Sequence, residues 1–319
     1  MPKISVMMPA YNAEEFIAQA IDSILIQDFQ DFQIVVSDDA STDGTAAIIR
    51  RYQEKYPDKI IAIYNSSNVG VTKNCNMALK QCTGDYVSLF AGDDVMLPGK
   101  FSKQIALMED NPECVLCYHP VEIFDSGSGK TFFVTNQQKR EDVHSTQDLL
   151  LKGGIPGGCS IMVRRDAIPV GGYDNRLKTV SDWLFFLEIS TKGRICKLDD
   201  VLARYRKHQG GASRLTYSLL SESLYALDLF AEKHPNCDQI VSWIRHAKAR
   251  YIAGEAFRQL KNDPAIALSL ASSAFSYQKN AKYFFVYMGA FCNRYMPGFG
   301  MALKIGSTRI KYILKRFLG

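Results

Sequence analysis

Short apolar runs alternate with helical patterns at a regular pace through the first hundred residues, and few folds accept that order. The runs are Ile4–Met8, Ile34–Ser37, Ile60–Tyr64 and Tyr86–Phe90, and the helical patterns cover Glu14–Gln27, Thr45–Tyr56, Thr72–Gln81 and Pro98–Glu109. An uninterrupted apolar run marks a strand covered on both faces, and strand–helix–strand order joins such strands in parallel. The expected fold class is therefore α/β, a mostly parallel sheet with helices on both faces. In the first helix Phe16, Ala20 and Ile24 recur at helical spacing with Ile17, Ile21 and Leu25. They follow Glu14 and Glu15, acids that favour a helix N-terminus.

Two of the runs end in paired carboxylates, Asp38-Asp39 and Asp93-Asp94. Ligands of open α/β sheets bind outside the carboxyl ends of the strands, so both pairs are expected to face one cleft. Adjacent aspartates repel unless a cation or a hydrogen-bond donor satisfies them. A metal-bound nucleotide diphosphate matches that demand. The bland alternative, that strand-terminal aspartates only cap the next helix, suits one pair better than two.

Composition narrows the function further. With 47% apolar residues the chain has material for a proper core. The net charge of +5 is mild, and no arginine-rich stripe interleaved with aromatics runs through the body, so nucleic acid is not an expected partner. The eight cysteines are scattered, which fits a reducing, cytoplasmic compartment. Cys114 and Cys117 form a lone CxxC in apolar surroundings and read as core residues of a strand. Lys3–Met8 enters a strand with no charged leader before it, so no signal peptide is expected. The longest apolar segment, Tyr283–Cys292, is about half of what a membrane span requires.

From Val115 to Thr135 the pattern changes to short strands broken by a hairpin-like loop, Ser126-Gly127-Ser128-Gly129. A glycine-rich loop, Gly153–Gly158, then precedes the apolar run Cys159–Val163. After about Ser213 the chain reads as helical, with Ser221–Lys233, Gln239–Lys261 and Pro264–Ser276 separated by His234-Pro235-Asn236 and Asn262-Asp263-Pro264. Two domains are expected, 1–213 and a helical region 214–319.

Several local motifs line up in chain order. Pro9-Ala10-Tyr11-Asn12 follows the first strand, Asp38-Asp39-Ala40-Ser41-Thr42-Asp43-Gly44-Thr45 the second, and Asn68-Val69-Gly70 with Lys73, Asn74 and Asn76 the third. Ala91-Gly92-Asp93-Asp94 follows the fourth. Then come Gly171-Gly172-Tyr173-Asp174, Ser181-Asp182-Trp183-Leu184 and Tyr205-Arg206-Lys207-His208 before Ser213. Taken singly, each has an ordinary reading as a turn, a cap or a solvated side chain. The ordered series, over residues 3–213, resembles the family 2 glycosyltransferases of the GT-A fold, of the type that builds bacterial polysaccharides.

That resemblance implies a Rossmann-like GT-A domain and a set of roles. Pro9, Tyr11, Asn12, Asp39, Lys73 and Asp93 would hold the nucleotide, with Asp39 accepting from the uracil N–H. Asp93 and Asp94 would bind Mg²⁺ or Mn²⁺, and Arg206, His208 and Ser213 would neutralise the diphosphate. Asp182 matches the family's catalytic base. The implied reaction is metal-dependent, inverting transfer of a hexose-like sugar from a nucleotide diphosphate, UDP foremost, to a hydroxyl of a glycan or lipid-linked acceptor in surface polysaccharide synthesis. Two positions depart from the usual pattern: Ala91 stands where an aspartate opens the Asp-x-Asp motif, and Ser181 where a glutamate precedes the catalytic aspartate.

Two other classes compete with this reading. A nucleotidyltransferase would carry a glycine-rich phosphate loop after the first strand, where this chain has Pro9–Asn12. A non-catalytic relative serving as a scaffold in a polysaccharide-assembly complex would account for Ala91 and Ser181, but not for the retention of Asp39, Asp93 and Asp182. The segment 298–319 mixes Lys304, Arg309, Lys311, Lys315 and Arg316 with apolar residues and holds no acid. It is expected to lie on an anionic membrane, placing the protein at the inner face of the plasma membrane.

Overall fold

The computed structural model describes residues 1–137, 142–155, 157–208 and 219–295. The chain divides into two compact units, Met1–Thr216 and Tyr217–Gly319. The first begins with β1 (Ile4–Ala10), α1 (Ile17–Leu25), β2 (Phe32–Asp38), α2 (Thr45–Lys55), β3 (Ile60–Tyr64), α3 (Val71–Lys80) and β4 (Tyr86–Leu89). It continues through β5 (Val95–Met96), α4 (Lys100–Asp110), β6 (Cys114–Tyr118), β7 (Val121–Asp125), β8 (Thr131–Val134), α5 (Thr146–Lys152), β9 (Met162–Arg164), α6 (Ser181–Ser190), β10 (Arg194–Lys197) and β11 (Ala203–Lys207).

Seven strands form one sheet in the order β10-β6-β9-β4-β1-β2-β3. Only β9 runs against its neighbours β4 and β6. β1 pairs in parallel with both β2 and β4, in the register Val6 to Ile34 and Val6 to Ser88. The central strands are buried on both faces, which is why their sequences are continuous rather than alternating. Ile17, Ala20, Ile21 and Ile24 of α1 and Phe101, Ile105 and Met108 of α4 fill the core beside Ile4, Val6, Ile34 and Val36. Cys114 and Cys117 are fully buried in β6 as small apolar residues. A second sheet, β5-β11-β7-β8, lies in the same unit, and its β7–β8 hairpin turns through Ser126–Gly129 as expected.

The first helix starts three residues later than its acids suggest. Glu14 is used elsewhere: its backbone N–H donates to Asp43 Oδ2 (3.1 Å) and its Oε2 accepts the Gly44 N–H (2.6 Å) at the start of α2. A carboxylate that favours a helix N-terminus here serves the neighbouring helix rather than its own.

The second unit is helical: α7 (Leu219–Lys233), α8 (Asp238–Gln259), α9 (Pro264–Tyr277) and α10 (Ala281–Tyr295). Asp263 caps α9 by accepting the Ala265 and Ile266 N–H groups, with Pro264 in the first turn where its missing N–H costs nothing. Small residues let the helices approach, and Ala249, Ala253, Ala256, Ala271, Ala274 and Ala290 are buried between them. No helix among the described residues is long and apolar enough to cross a membrane. The segment 298–319, expected to meet the membrane, lies outside the described residues.

Lys100 is the anomaly of the core. It is fully buried on α4, with Nζ donating to Ser88 Oγ at 2.9 Å. Burial lowers its pKa from 10.5 to about 8. Between those values the unfolded chain binds more protons than the native one, so stability should rise with pH through that window. Below it, the buried charge costs on the order of 3 kcal/mol. Lys100→Met is expected to unfold at higher urea concentration at neutral pH and to lose the rise between pH 8 and 10.5; earlier unfolding than the parent would show that the charge is needed.

Candidate active site

β1, β2, β3 and β4 run parallel and so end at one edge of the sheet, and the loops leaving that edge are tied together by side chains. Asn12 Oδ1 accepts the Thr42 N–H (2.9 Å), and the Asn12 N–H donates to Ser41 Oγ (2.9 Å). The Ala13 N–H donates to Thr45 Oγ1 at 2.7 Å. Asn12 and Ala40 hold left-handed backbone, φ 46° and 57°. For alanine this is a strained conformation of the kind that clusters at functional sites. Tyr11 stands half-exposed between the loops, and the Pro9 carbonyl accepts the Gly92 N–H at 3.1 Å, joining the first loop to the acidic one.

The two aspartates after β2 do different things. Asp38 closes its own loop, accepting the Ser41 N–H and hydroxyl. Asp39 is buried and reaches across to the loop after β3: Oδ1 accepts Asn65 Nδ2 and the Val69 N–H, and Oδ2 accepts the Gly70 N–H, all at 2.9 Å. A carboxylate has about four acceptor positions, so one on Oδ2 remains for a ligand. Asn74 completes the network, accepting Ser37 Oγ (2.6 Å) and donating to the Ser37 carbonyl (2.9 Å). Lys73 is exposed on α3.

The pair after β4 divides in the same way. Asp94 is buried, accepts the Arg206 backbone N–H on Oδ1 (3.0 Å) and receives the Cys159 thiol. Burial, then the charge of Asp93, hold its pKa well above the usual carboxylate value. Asp93 is partly exposed, and its Oδ2 lies 3.0 Å from His208 Nε2. Arg206 is not a free cation at the cleft, as the resemblance implied. Its Nε donates to the Asp93 carbonyl (2.7 Å), its Nη2 to Gln19 Oε1 (2.5 Å), and its guanidinium lies 4.6 and 4.7 Å from the ring centres of Phe16 and Phe124. Fork and stack hold the strand end that carries His208 against the Asp93 loop.

Asp182 sits in the first turn of α6, a helix otherwise almost wholly buried. It is exposed, and Oδ1 accepts the Trp183 N–H at 2.7 Å. The preceding Ser181 contacts Thr72 hydroxyl to hydroxyl at 2.9 Å, and Thr72 also donates to the Leu177 carbonyl. This couples α6 to α3, whose leading loop Asp39 holds. Burial pushes the Cys75 thiol up to about 12, with Asp182 and then Asp39 adding to the shift, so both carboxylates lie within electrostatic reach of one thiol.

Both acidic pairs thus stand at the edge where β2 and β4 end, but their members are bonded differently. Asp38, Asp39 and Asp94 are buried and accept from neighbouring loops, while Asp93 is the partly exposed member of the two pairs and Asp182, on α6, is exposed. Among the described residues no three of His, Cys, Asp and Glu surround a common point. Asp94, buried against the Arg206 N–H and the Cys159 thiol, is less open to a cation than Asp93. Asp93 with His208 is a suitable partial set, because Mg²⁺ or Mn²⁺ takes only one or two protein groups when diphosphate oxygens and waters fill the rest. Ser213 lies outside the described residues. In the glycine-rich loop Gly157 has φ 77°, and a Cβ there would stand 2.7 Å from Val121 Cγ2, so that position admits glycine alone without a shift. Sequence reasoning missed Asn65, Thr72, Gln19, Phe16 and Phe124. Only Asn65, immediately after a strand, carries a local signal.

A family model described as glycosyl transferase family 2 matches residues 5–170, from β1 to just past β9. The chain belongs to that family. An uncharacterized protein of Mycobacterium tuberculosis is 31% identical over 220 residues, covering 67% of this chain and 62% of its own length. This chain therefore spans less than two thirds of that relative. EpsE of Bacillus subtilis, named a glycosyltransferase, is 31% identical over 68% of this chain and 78% of its own. Among solved structures, S. aureus TarS 1-349 in complex with UDP-GlcNAc aligns with TM-score 0.64 at 21% identity, covering 92% of this chain and 87% of that one. The mannosyltransferase PcManGT from Pyrobaculum calidifontis, in complex with GDP-Man and Mn²⁺, aligns at 0.62 and 18%, covering 99% and 85%. The fold of this family member is GT-A, a mostly parallel central sheet followed by a helical region.

The bonding of Arg206 predicts its substitution. Arg206→Lys keeps the charge but loses the planar fork and the stack, and should lower unfolding free energy in the ligand-free protein by about 1–3 kcal/mol. Urea denaturation without nucleotide checks this; unchanged stability would return Arg206 to the role of a mobile charge.

Proposed function

We propose that this family 2 member is an inverting glycosyltransferase that moves a sugar from a nucleotide diphosphate donor, UDP foremost, to a hydroxyl of a glycan or lipid-linked acceptor in surface polysaccharide synthesis. The observation that carries the reading is the placement of Asp182: an exposed carboxylate at the start of a buried helix that Ser181 and Thr72 tie to α3, whose leading loop Asp39 holds. Asp39 would use its remaining lone pair on the uracil N3–H, between the loops bearing Pro9, Tyr11 and Asn12, with Lys73 nearby. The name of the teichuronic acid biosynthesis relative TuaG of Bacillus subtilis, 28% identical over 64% of this chain, supports the polysaccharide setting. TarS with UDP-GlcNAc supports the choice of donor. Eight free thiols accord with a cytoplasmic site of action.

The chemistry asks little of the protein beyond placement. Asp182 takes the proton from the acceptor hydroxyl as its oxygen attacks the anomeric carbon from the face opposite the diphosphate. The bond from that carbon to the diphosphate oxygen breaks, the nucleotide diphosphate leaves with the electron pair, and the configuration inverts. Asp93 and His208 would hold a divalent cation, which supplies charge neutralisation to the departing diphosphate. Arg206 and Asp94 hold those two residues in place, and transfer is assigned to the first unit.

Asp182→Asn should fold and bind donor as the parent does while transferring sugar at least ~10²-fold more slowly, the usual scale for losing a general base. Transfer near the parent rate to a competent acceptor would leave Asp182 a helix-start residue. Asp93→Ala should abolish the Mn²⁺-dependent part of UDP affinity in calorimetric titration. UDP affinity in the parent that is the same with and without Mn²⁺ would sink the metal assignment, and absence of any UDP release from a panel of UDP-sugars would favour a scaffold.

A further inference from the structure

The second unit holds a group of cations that the sugar-transfer reading does not use. Tyr283 is fully buried at the start of α10, and its hydroxyl has no hydrogen-bond partner. Around its ring stand Lys282, with Nζ 5.7 Å from the ring centre, and His246, edge-on at 6.4 Å. Arg250, one turn along α8 from His246, also acts on the Tyr283 hydroxyl. Burial and then Lys282 and Arg250 depress His246, which favours its neutral imidazole, while burial and then Arg250 depress Lys282, so the two cations Arg250 and Lys282 oppose each other. Two like charges held near each other are relieved by an anion with several acceptor oxygens.

The surface next to this group is apolar. Lys282 shares a helix face with Phe285, and the stripe continues through Met288 and Cys292 to Tyr295. Phe284, Phe285, Met288 and Tyr295 are 44%, 65%, 37% and 56% exposed, although Tyr283 and Ala290 on the same helix are buried in the unit's core. From Pro264 to Gly319 the sequence has no aspartate or glutamate and eight lysines and arginines. At fifteen residues α10 is too short to span a bilayer, but its length and aromatic stripe suit the headgroup boundary.

We propose that α10 docks on an anionic phospholipid surface, with lipid phosphates met by Arg250 and Lys282 and with Phe285 and Met288 inserted beside them. The site rests on the lipid-linked acceptor of the reading above, yet it binds independently of donor and acceptor. Full-length protein is floated with phosphatidylcholine vesicles, with and without phosphatidylglycerol, in the absence of nucleotide. Binding should require phosphatidylglycerol and weaken as salt rises. Arg250→Gln with Lys282→Gln should lower partitioning about 25-fold, roughly fivefold per cation. Phe285→Ser with Met288→Ser, both exposed changes that spare the core, should lower it at least ~10-fold.

UDP affinity should be unchanged in both double variants, so a failure here is separable from a failure of the transfer reading. Equal binding to neutral vesicles, or undiminished flotation of both variants, would overturn the site. So would two further results: flotation abolished by inorganic phosphate at constant ionic strength, which would mark a free-anion pocket, or a dimer in sedimentation that Phe285→Ser and Met288→Ser disperse.

Discussion

Carboxylates that accept backbone N–H groups hold the working edge of this protein together. Parallel strands buried on both faces must release their chain into loops whose N–H groups no longer have a ladder to join. Asp39 takes Val69 and Gly70, Asp43 takes Glu14 and Thr45, Glu14 takes Gly44, and Asp94 takes Arg206. Each of these bonds carries a charge on the acceptor and crosses between elements far apart in sequence, except the one from Asp43 to Thr45. The loops are therefore not independent, and whatever binds above them meets a surface whose shape is already set.

This arrangement divides each acidic pair between structure and chemistry. Asp38, Asp39 and Asp94 are buried and bonded to neighbouring loops, and Asp93 is the partly exposed member, with one side of Asp39 left unbonded. The division also explains how four aspartates gather near one edge: their charge is spread over N–H dipoles and over Arg206, which two aromatic rings and Gln19 hold in place. The replacement of acids by Ala91 and Ser181 looks different in this light. Ser181 is one end of the Thr72 contact that joins α6 to α3, so it serves the placement of Asp182 through a hydroxyl.

The second unit follows a separate logic. Its helices are joined by alanines and capped at Asp263, and its surface charge is biased to one sign toward the C-terminal end. Burying Tyr283 among cations without satisfying its hydroxyl is a cost that a packed helical bundle has no need to bear. Leaving Phe285 exposed two residues on is a second such cost, and the two occur within one turn of α10.

Period and order were enough, from sequence, for the parallel sheet, for the helices that flank it and for the helical C-terminal region, because those depend on which residues are apolar and how often they recur. The family was legible too, since its motifs sit at strand ends whose positions the same periodicity sets. Helix α1 was misjudged at its start because Glu14 answers a partner thirty residues away. The roles within Asp38-Asp39 and Asp93-Asp94 could not be divided by inspection, because neighbours in sequence have identical chemistry and differ only in which N–H group folding brings to each. The same holds for Arg206, whose pattern fits a phosphate ligand and whose stack between Phe16 and Phe124 appears only when three distant segments meet. Local propensity is written along the chain; the satisfaction of buried charge is decided across it.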